Sequence, residues 1–573
     1  MVPVRSISEA TTQKKRLIRT VLYDHTPNTK QDSCTTIMSR ILSLTILSFL
    51  FIESSTLSLF PDFSPKDTIT PRPIQRVAII GTGIAGLSLA HALENSVASE
   101  RASSPIHVSL FDSRPSLSFE AGAGIQLNGG MSVLHKINPN VHSAVVSAAL
   151  PLTHVRSRAK PWFESTEPFS TLLELDLEKA VKQTGGETEQ ELIIDGQLQC
   201  YTIMRGALQQ VLLEQLPPQV AKRAKFQRTL SGIKFSGEQQ QQGIMCVFAN
   251  GDVEGPFDFV VGCDGIKSAV KEYIERGTIS NDKEGRENRS AIYSGIRIQY
   301  AVADGDPKDT DVPKSAELRQ YFGDGAYALA GTYGAGKGKV PGRSGFLIFR
   351  DENYVGPFKR RQNNTDKVAV PSRVAENSDW TQDVRSKGDA RADCLTRIKE
   401  AGVPNIEVSP IVESADRFFE LGVYFHNPFS LYGWKRKVSR NGEWYCVLAG
   451  DAAHAMPPFL GQGSNQAIQD AYCLASKIFE YNEVLEATSQ EKASVDDDRG
   501  TEIRKPSLTE LLNDYEKRRW AATTSITLKA AFLGYLETGQ AGFLSKFRDA
   551  FFSFAGITGI ARKVFLDGAT PRV

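Results

Sequence analysis

At 573 residues the chain is too long for one ordinary domain, and two or three are expected. Apolar residues make up 41% of it, enough for a sizeable core, and Lys+Arg (67) nearly cancels Asp+Glu (66), so no global basic field argues for nucleic acid or an anionic membrane. The seven Cys (Cys34, Cys200, Cys246, Cys263, Cys394, Cys446 and Cys473) form no Cys-x-x-Cys pair and have no His at metal-ligand spacing, so neither a metal site nor a disulfide framework is read and small-molecule chemistry leads.

Residues 1–73 carry Lys/Arg in excess, many Ser/Thr and one apolar run, Ile41 to Ile52. As a helix such a run spans about 18 Å, short of a bilayer core of about 30 Å. It suits the core of a targeting signal, with Met38 and Arg40 just before it, and the Ser/Thr/Pro-rich stretch that follows suits an organelle such as a plastid. A tail with no address is the alternative, on a membrane-associated or cytoplasmic protein.

Folded structure is expected from Arg76. Val77 to Ile80 is a short apolar run, Gly81, Gly83 and Gly86 give G-x-G-x-x-G, and Leu87, Leu89, Ala90 and Leu93 continue at helical spacing. Strand, tight turn and helix follow, with Gly81 making the turn, Gly83 admitting a pyrophosphate and Gly86 packing helix on strand. A second strand, "IHVSLFD", ends in Asp112, where an acid would accept ribose hydroxyls. Further on, "FDFVVGCDGIKSAVK" repeats the strand-then-glycine logic around Asp264 and Gly265. A third strand, "CVLAGD", ends at Gly450 and Asp451, and "GQGSNQAIQDAYCLASKI" starts a helix. Three strand ends then converge on one extended ligand.

The combination of G-x-G-x-x-G, "DGIKS" and "GDAAHAMPPFLGQGSNQAIQD" resembles the single-component FAD-dependent monooxygenases with the para-hydroxybenzoate hydroxylase fold, including salicylate hydroxylase-like and zeaxanthin epoxidase-like members. The resemblance spans roughly residues 76 to 530. It implies an α/β protein in which a discontinuous Rossmann-like FAD-binding domain carries a mostly antiparallel substrate sheet and C-terminal helices. The cofactor residues it implies are Gly81, Gly83, Ile84, Ala85 and Gly86 on the ADP pyrophosphate, Asp112 and Arg114 on the adenosine side, and Gly124 and Ile125 of "AGAGIQL" along the flavin. Arg205 matches a cofactor-facing arginine, with an ordinary surface Arg as the alternative. Asp264 and Gly265 would lie near the FAD pyrophosphate and Gly450 and Asp451 at the ribityl chain; Gly461, Gln462, Gly463, Ser464 and Asn465 would border the flavin.

The same resemblance implies that reduced FAD forms a C4a-hydroperoxide whose distal oxygen passes to an electron-rich substrate carbon, hydroxylating an aromatic or epoxidising an isoprenoid. Pro458, Gly461 and Gly463 are then the residues of the flavin face and helix N-terminus that carry catalysis. His454 reads as a positional hydrogen-bonding residue. With one dinucleotide fingerprint, NAD(P)H would bind transiently; the partners implied are a small-molecule substrate, O2 and NAD(P)H, and no nucleic acid. Two departures stand out. Lys271 replaces an Arg, losing its bidentate fork, and "LNGGMSVL" replaces a Pro-Asn-containing sequence. Alternatives are a flavin-dependent reductase of prenyl chains and a non-catalytic scaffold of the same fold.

The expected organisation is a targeting or disordered segment at 1–73, the first part of the FAD-binding domain at 74–277 with some substrate-domain strands within it, a substrate sheet at 278–442, the second part of the FAD-binding domain at 443–535 and a helical tail at 536–573. In the sheet, Arg297, Tyr321 and Tyr327 are the residues to watch, each more often a sheet-face residue than a substrate contact. In the tail, Phe543, Phe547, Phe551 and Phe554 recur at three-to-four spacing near Lys546, Arg548, Arg562 and Lys563. A helix packed on the FAD-binding domain is the simpler reading, and peripheral contact with a membrane surface the other.

Overall fold

The computed structural model describes residues 71–573 except 118–121, 162–167, 238–241, 281–290, 309, 353–386, 405–406, 440–441, 495–505 and 540–542. The expected targeting segment lies outside them, as do most of the polar insertions and the tip of "EQQQQG".

A six-stranded sheet forms the first layer. Its strands are β1 (Arg76–Ile80), β2 (His107–Phe111), β7 (Ala224–Lys225), β11 (Phe259–Gly262), β17 (Lys435–Lys437) and β18 (Tyr445–Leu448), in the order β17-β18-β11-β1-β2-β7. All pairs are parallel except β17 with β18. Val77 to Ile80 and all of β11 and β18 are buried, so these strands read as continuous apolar runs rather than alternating ones. Because β1, β2, β11 and β18 are parallel, their C-terminal ends share one sheet edge, the edge where ligands bind in open α/β sheets. Helix α1 (Ile84–Glu94) follows β1, α2 (Gly129–Ile137) lies further on, and the long α5 (Gly463–Ser494) packs against both. Between β7 and β11, a small antiparallel sheet of β8 (Leu230–Ser236), β9 (Gly243–Phe248) and β10 (Val253–Phe257) joins the core through Phe248 and Phe257, which pack on Phe111.

The second layer is a nine-stranded sheet. It draws β3 (Gly124–Leu127), β4 (Leu150–Ala159), β5 (Ser170–Asp176) and β6 (Tyr201–Met204) from the first segment. The remainder are β12 (Ala291–Ala303), β13 (Ala316–Phe322), β14 (Ala326–Tyr333), β15 (Gly342–Arg350) and β16 (Arg417–His426). The order is β16-β12-β15-β14-β13-β4-β6-β3, with β5 on β4, and β13 with β4 is a parallel pair in an otherwise antiparallel sheet. Helix α3 (Arg205–Glu214) leaves β6 directly, so Arg205 stands where the two layers meet.

Helix α6 (Leu508–Glu537) starts on a reciprocal cap. Ser507 N donates to Glu510 Oε2 (2.9 Å) and Glu510 N donates back to Ser507 Oγ (3.3 Å), satisfying two first-turn donors. Helices α7 (Phe543–Thr558) and α8 (Ile560–Ala569) end the chain. The buried Arg548 on α7 bonds Asp549 and donates to Gly323 O (2.7 Å), and Phe552 packs on Phe322, which fixes α7 to the large sheet. The simpler reading of the tail had this helix on the FAD-binding domain; it lies mainly across the edge strand β5 and the sheet beside it.

Candidate active site

The turn after β1 is built by its three glycines in three different ways. Gly81 has φ +106°, donates its N–H to Phe111 O (2.7 Å), and a Cβ there would collide with Cys263 O at the end of β11. At Gly86 a Cβ would run into Gly81 O, so helix and turn touch backbone to backbone. Gly83 differs, because no protein atom lies within 4 Å of where its Cβ would stand. It is also the N-cap of α1 and supplies no side-chain cap, so the first-turn N–H groups of Ile84, Ala85 and Gly86 suit an anionic group approaching past Gly83.

Asp112 is buried, and its carboxylate accepts from Thr82 N (2.9 Å), Thr82 Oγ1 (2.5 Å), and Arg114 N (2.9 Å), Nε (2.9 Å) and Nη2 (2.8 Å). Against the cost of burial, Arg114 and Thr82 hold its pKa below the usual carboxylate value. Asp112 therefore orients Arg114 and closes the glycine turn. Asp264 plays a similar internal part. It accepts from Ser268 Oγ (2.5 Å) and from Ala269 N (2.6 Å), so it caps helix α4 (Ala269–Arg276), while Gly265 turns at φ +78° with no atom near its would-be Cβ. Lys271 is buried and pairs with Glu275 at 3.4 Å. The charge that departs from the family pattern is thus neutralised inside the domain.

The Gly450 to Asp470 stretch forms the third wall. Gly450 turns at φ +63°, and its would-be Cβ lies 2.8 Å from Ala85 Cβ, bringing this turn onto the start of α1. Asp451 opens one helical turn, Asp451–His454. Its side chain is open to solvent yet ringed by protein, as at the floor of a cleft; that crowding raises its pKa, opposed by the charges of His454 and Arg205. Arg205 stands beside Gly122, and its N–H donates to Ala123 O (3.1 Å).

Pro458–Leu460 is a single 3-10 turn that ends at Gly461 in the left-handed region (φ +61°), and α5 begins at Gly463. Strand β3 is tied to this loop at several points. Gln126 Nε2 donates to Leu460 O (2.7 Å), Asn465 Oδ1 accepts from Asn128 N (2.8 Å) and Gly130 N (3.1 Å), and Asn465 Nδ2 donates to Gln126 O and Gly461 O (both 3.2 Å). The Asn465 side chain is thus engaged with protein, which leaves backbone N–H groups of Gly463, Ser464 and Asn465 as the first turn of α5, where helices carry donors without intrahelical acceptors. Gln462 is buried, and a Cβ at Gly463 would stand 3.9 Å from Asp451 Oδ1. Gly124 faces Tyr333, whose ring fills the place of a Cβ, beside Ile125 on β3.

Behind the loop lies a charged network centred on Asp470, in which His454 is the expected hydrogen-bonding residue and Arg519 stands behind it. Asp470 accepts from Gly450 N (2.7 Å), from His454 Nε2 (2.6 Å) and from the fully buried Arg519 Nε (2.7 Å). His454 and Arg519 overcome burial and lower the Asp470 pKa to about 2. Arg519 also donates to Gln466 Oε1 (2.6 Å), Gln469 Oε1 (3.1 Å) and Arg572 O (2.7 Å). The signal was an Asp on the apolar face of "AIQDAYCLA", since a buried charge demands a partner. The residues to watch in the sheet serve packing. Arg297 pairs with Asp351 and Glu420, Tyr321 accepts from Arg158 (3.2 Å), and Tyr327 bonds Glu537.

The sequence matches a profile described as FAD binding domain over residues 434–492 and one described as NAD(P)-binding Rossmann-like domain over residues 79–148. It is 26% identical over 422 residues to a salicylate hydroxylase of Pseudomonas putida, covering 72% of this chain and 78% of that protein. It is 23% identical over 479 residues to the FAD-dependent monooxygenase ausM of Emericella nidulans, covering 82% and 81%. Among solved structures it is similar to Klebsiella pneumoniae HpxO complexed with FAD and uric acid, with a TM-score of 0.56 at 17% identity over 86% of this chain and 97% of that one. It is also similar to 2,6-dihydroxypyridine-3-hydroxylase from Arthrobacter nicotinovorans, with a TM-score of 0.53 at 14% identity over 82% and 95%.

Proposed function

We propose that this chain is an FAD-dependent oxidoreductase of the monooxygenase type with the para-hydroxybenzoate hydroxylase fold, and that it uses NAD(P)H and O2 to hydroxylate an electron-rich aromatic small molecule. The observation that carries the reading is the convergence of Gly83, Asp451 and the first turn of α5 at the meeting of the two sheets. One oxygen atom of O2 enters the substrate as hydroxyl and the other leaves as water, with NAD(P)H supplying two electrons. FAD, when bound, supplies the redox chemistry that activates O2.

The protein's own residues hold and shield that chemistry. First-turn donors at Ile84 to Gly86 suit the pyrophosphate, Asp451 the ribityl hydroxyls, and Arg205 the negative charge between them. The backbone donors of Gly463 to Asn465 would hold negative charge at a bound flavin ring, and preorganised donors of this kind cost no rearrangement. Pro458 places a side chain with no proton to donate at the loop. The aromatic substrate class draws support from the salicylate hydroxylase relative and from a 3-amino-4-hydroxybenzoate 2-monooxygenase of Streptomyces platensis, 26% identical over 414 residues.

The test is the visible spectrum of the purified full chain, then oxygen uptake with NADH or NADPH across a panel of phenols, salicylates and carotenoids. Substrate-stimulated uptake with phenols or salicylates and a hydroxylated product is expected; uptake with carotenoids alone would move the reading to isoprenoid epoxidation. Asp451→Ala should raise the Kd for FAD about 10- to 100-fold, the worth of a hydrogen bond to a charged group. Full flavin retention in that variant would remove Asp451 from the site.

A further inference from the structure

Helix α7 has two faces of opposite character. At 100° per residue, Arg548, Asp549, Phe552 and Ala555 fall on one side and are buried. Phe543, Phe547, Phe554 and Ile557 fall within about 80° of arc on the other side. These four are exposed at 78%, 48%, 57% and 87%, and Ile560 continues the ridge onto α8 beyond the left-handed turn at Gly559. Scattered single apolar residues on a surface need no explanation, but an unbroken ridge of this kind marks an interaction face.

The rim of the ridge is positive. Lys546 lies beside Phe547 on the exposed arc, Lys563 is exposed on α8, and the half-exposed Arg562 bonds Gln183 Oε1 (2.8 Å). The remaining position of that arc, Ala550, carries no charge. The acids of these helices face elsewhere, Asp549 being buried against Arg548 and Asp567 paired with Lys529. Among the described residues no helix is long and apolar enough to cross a membrane.

We propose that this ridge docks in the plane of an anionic lipid bilayer, with Phe543, Phe547, Phe554 and Ile557 entering the boundary of the acyl chains and Lys546 and Lys563 at the level of the lipid phosphates. An amphipathic helix with an aromatic face and cationic flanks binds by buried apolar area plus attraction to acidic headgroups. Charge separates this occupant from a second copy of the chain, which would set lysines near lysines.

The experiment is co-sedimentation of the full chain with phosphatidylcholine vesicles, with and without phosphatidylserine, against a Phe547→Ser/Phe554→Ser variant. The expected result is binding that needs phosphatidylserine, weakens with salt and falls roughly tenfold or more in the variant, while far-UV circular dichroism and flavin content stay unchanged. Equal partitioning of the variant would overturn the proposal. So would a dimer, seen by light scattering, that the substitutions dissociate without vesicle binding by either protein. A bimane label on Ile557→Cys in a Cys34→Ser background reads the ridge itself. A blue shift on adding anionic vesicles supports docking, and unchanged emission overturns it.

Discussion

Gly83 and Gly86 stand three residues apart in one motif and do different work. A side chain at position 86 has to displace the carbonyl of Gly81, whereas one at position 83 meets no protein atom. Gly86→Val should therefore cost about 1–3 kcal/mol of apoprotein stability, as overpacking does, and Gly83→Val almost none. Both should lose FAD. Thermal melts of the apoproteins beside flavin titrations separate the two, and equal melting losses would contradict the distinction. The buried charge of Asp470 makes a second test. Removing it in Asp470→Ala leaves Arg519 without its carboxylate, which should cost about 3–5 kcal/mol in denaturant unfolding. The glycine spacing was legible in the sequence because it obeys local backbone rules. What Asp112 and Asn465 touch was not, because Thr82 and the segment around β3 come within their reach only in the folded chain.

Helix α6 sets a pH dependence at its last residue. Burial pushes the Glu537 carboxyl up to about 7, against opposing bonds from Tyr327 and Gln320 and the charge of Arg548, with Tyr300 also near Tyr327. A carboxyl whose folded pKa lies above its unfolded value binds its proton more tightly when folded. Its contribution is fully present below about pH 4.5 and is lost as pH rises through about 7. Burial acts in the opposite sense on His91 and His426, lowered to about 4 and about 3, whose contributions are complete above about 6.5 and fade as pH falls toward those values. The two effects oppose each other across the same window: between about pH 4.5 and 7 the Glu537 contribution falls as the His91 and His426 contributions rise. Glu537→Gln should remove the falling component, so that between about pH 5 and 7 the Tm of the variant rises with pH more steeply than that of the parent protein, by about 1–2 °C over the window. Parallel profiles in the two proteins would place the titration elsewhere. The helix itself was legible from "LTELLNDYEKRRWAATTSITLKAAFLGYL"; the environment of its last acid was not, since the sheet that buries it comes from a distant part of the chain.

The two sheets are assembled from segments that interleave along the sequence. Strands β3, β4, β5 and β6 precede β11 in the chain yet belong to the sheet completed by β12 to β16. A fragment spanning 278–442 alone would expose the edge of β13 that pairs with β4, and it should give no cooperative thermal transition; a sharp two-state melt would show that the large sheet is autonomous. The parallel dinucleotide layer was legible because its buried strands are continuous apolar runs followed by glycine or Asp. The parallel pairing of β4 with β13 was not, because nothing local in either strand selects a partner so far away in sequence. This interleaving has a consequence for biosynthesis. Gly81 leaves the ribosome first, Asp451 far later, and Arg519 finds one of its acceptors only at Arg572 O. At about 5–20 residues per second, the roughly 490 residues from the first glycine turn to that carbonyl take on the order of 25–100 s to translate. Through most of that interval the nascent chain holds the glycine turn without Asp451 or the first turn of α5, so the parts of the nucleotide site can meet only late in synthesis, and Arg519 completes its bonds later still.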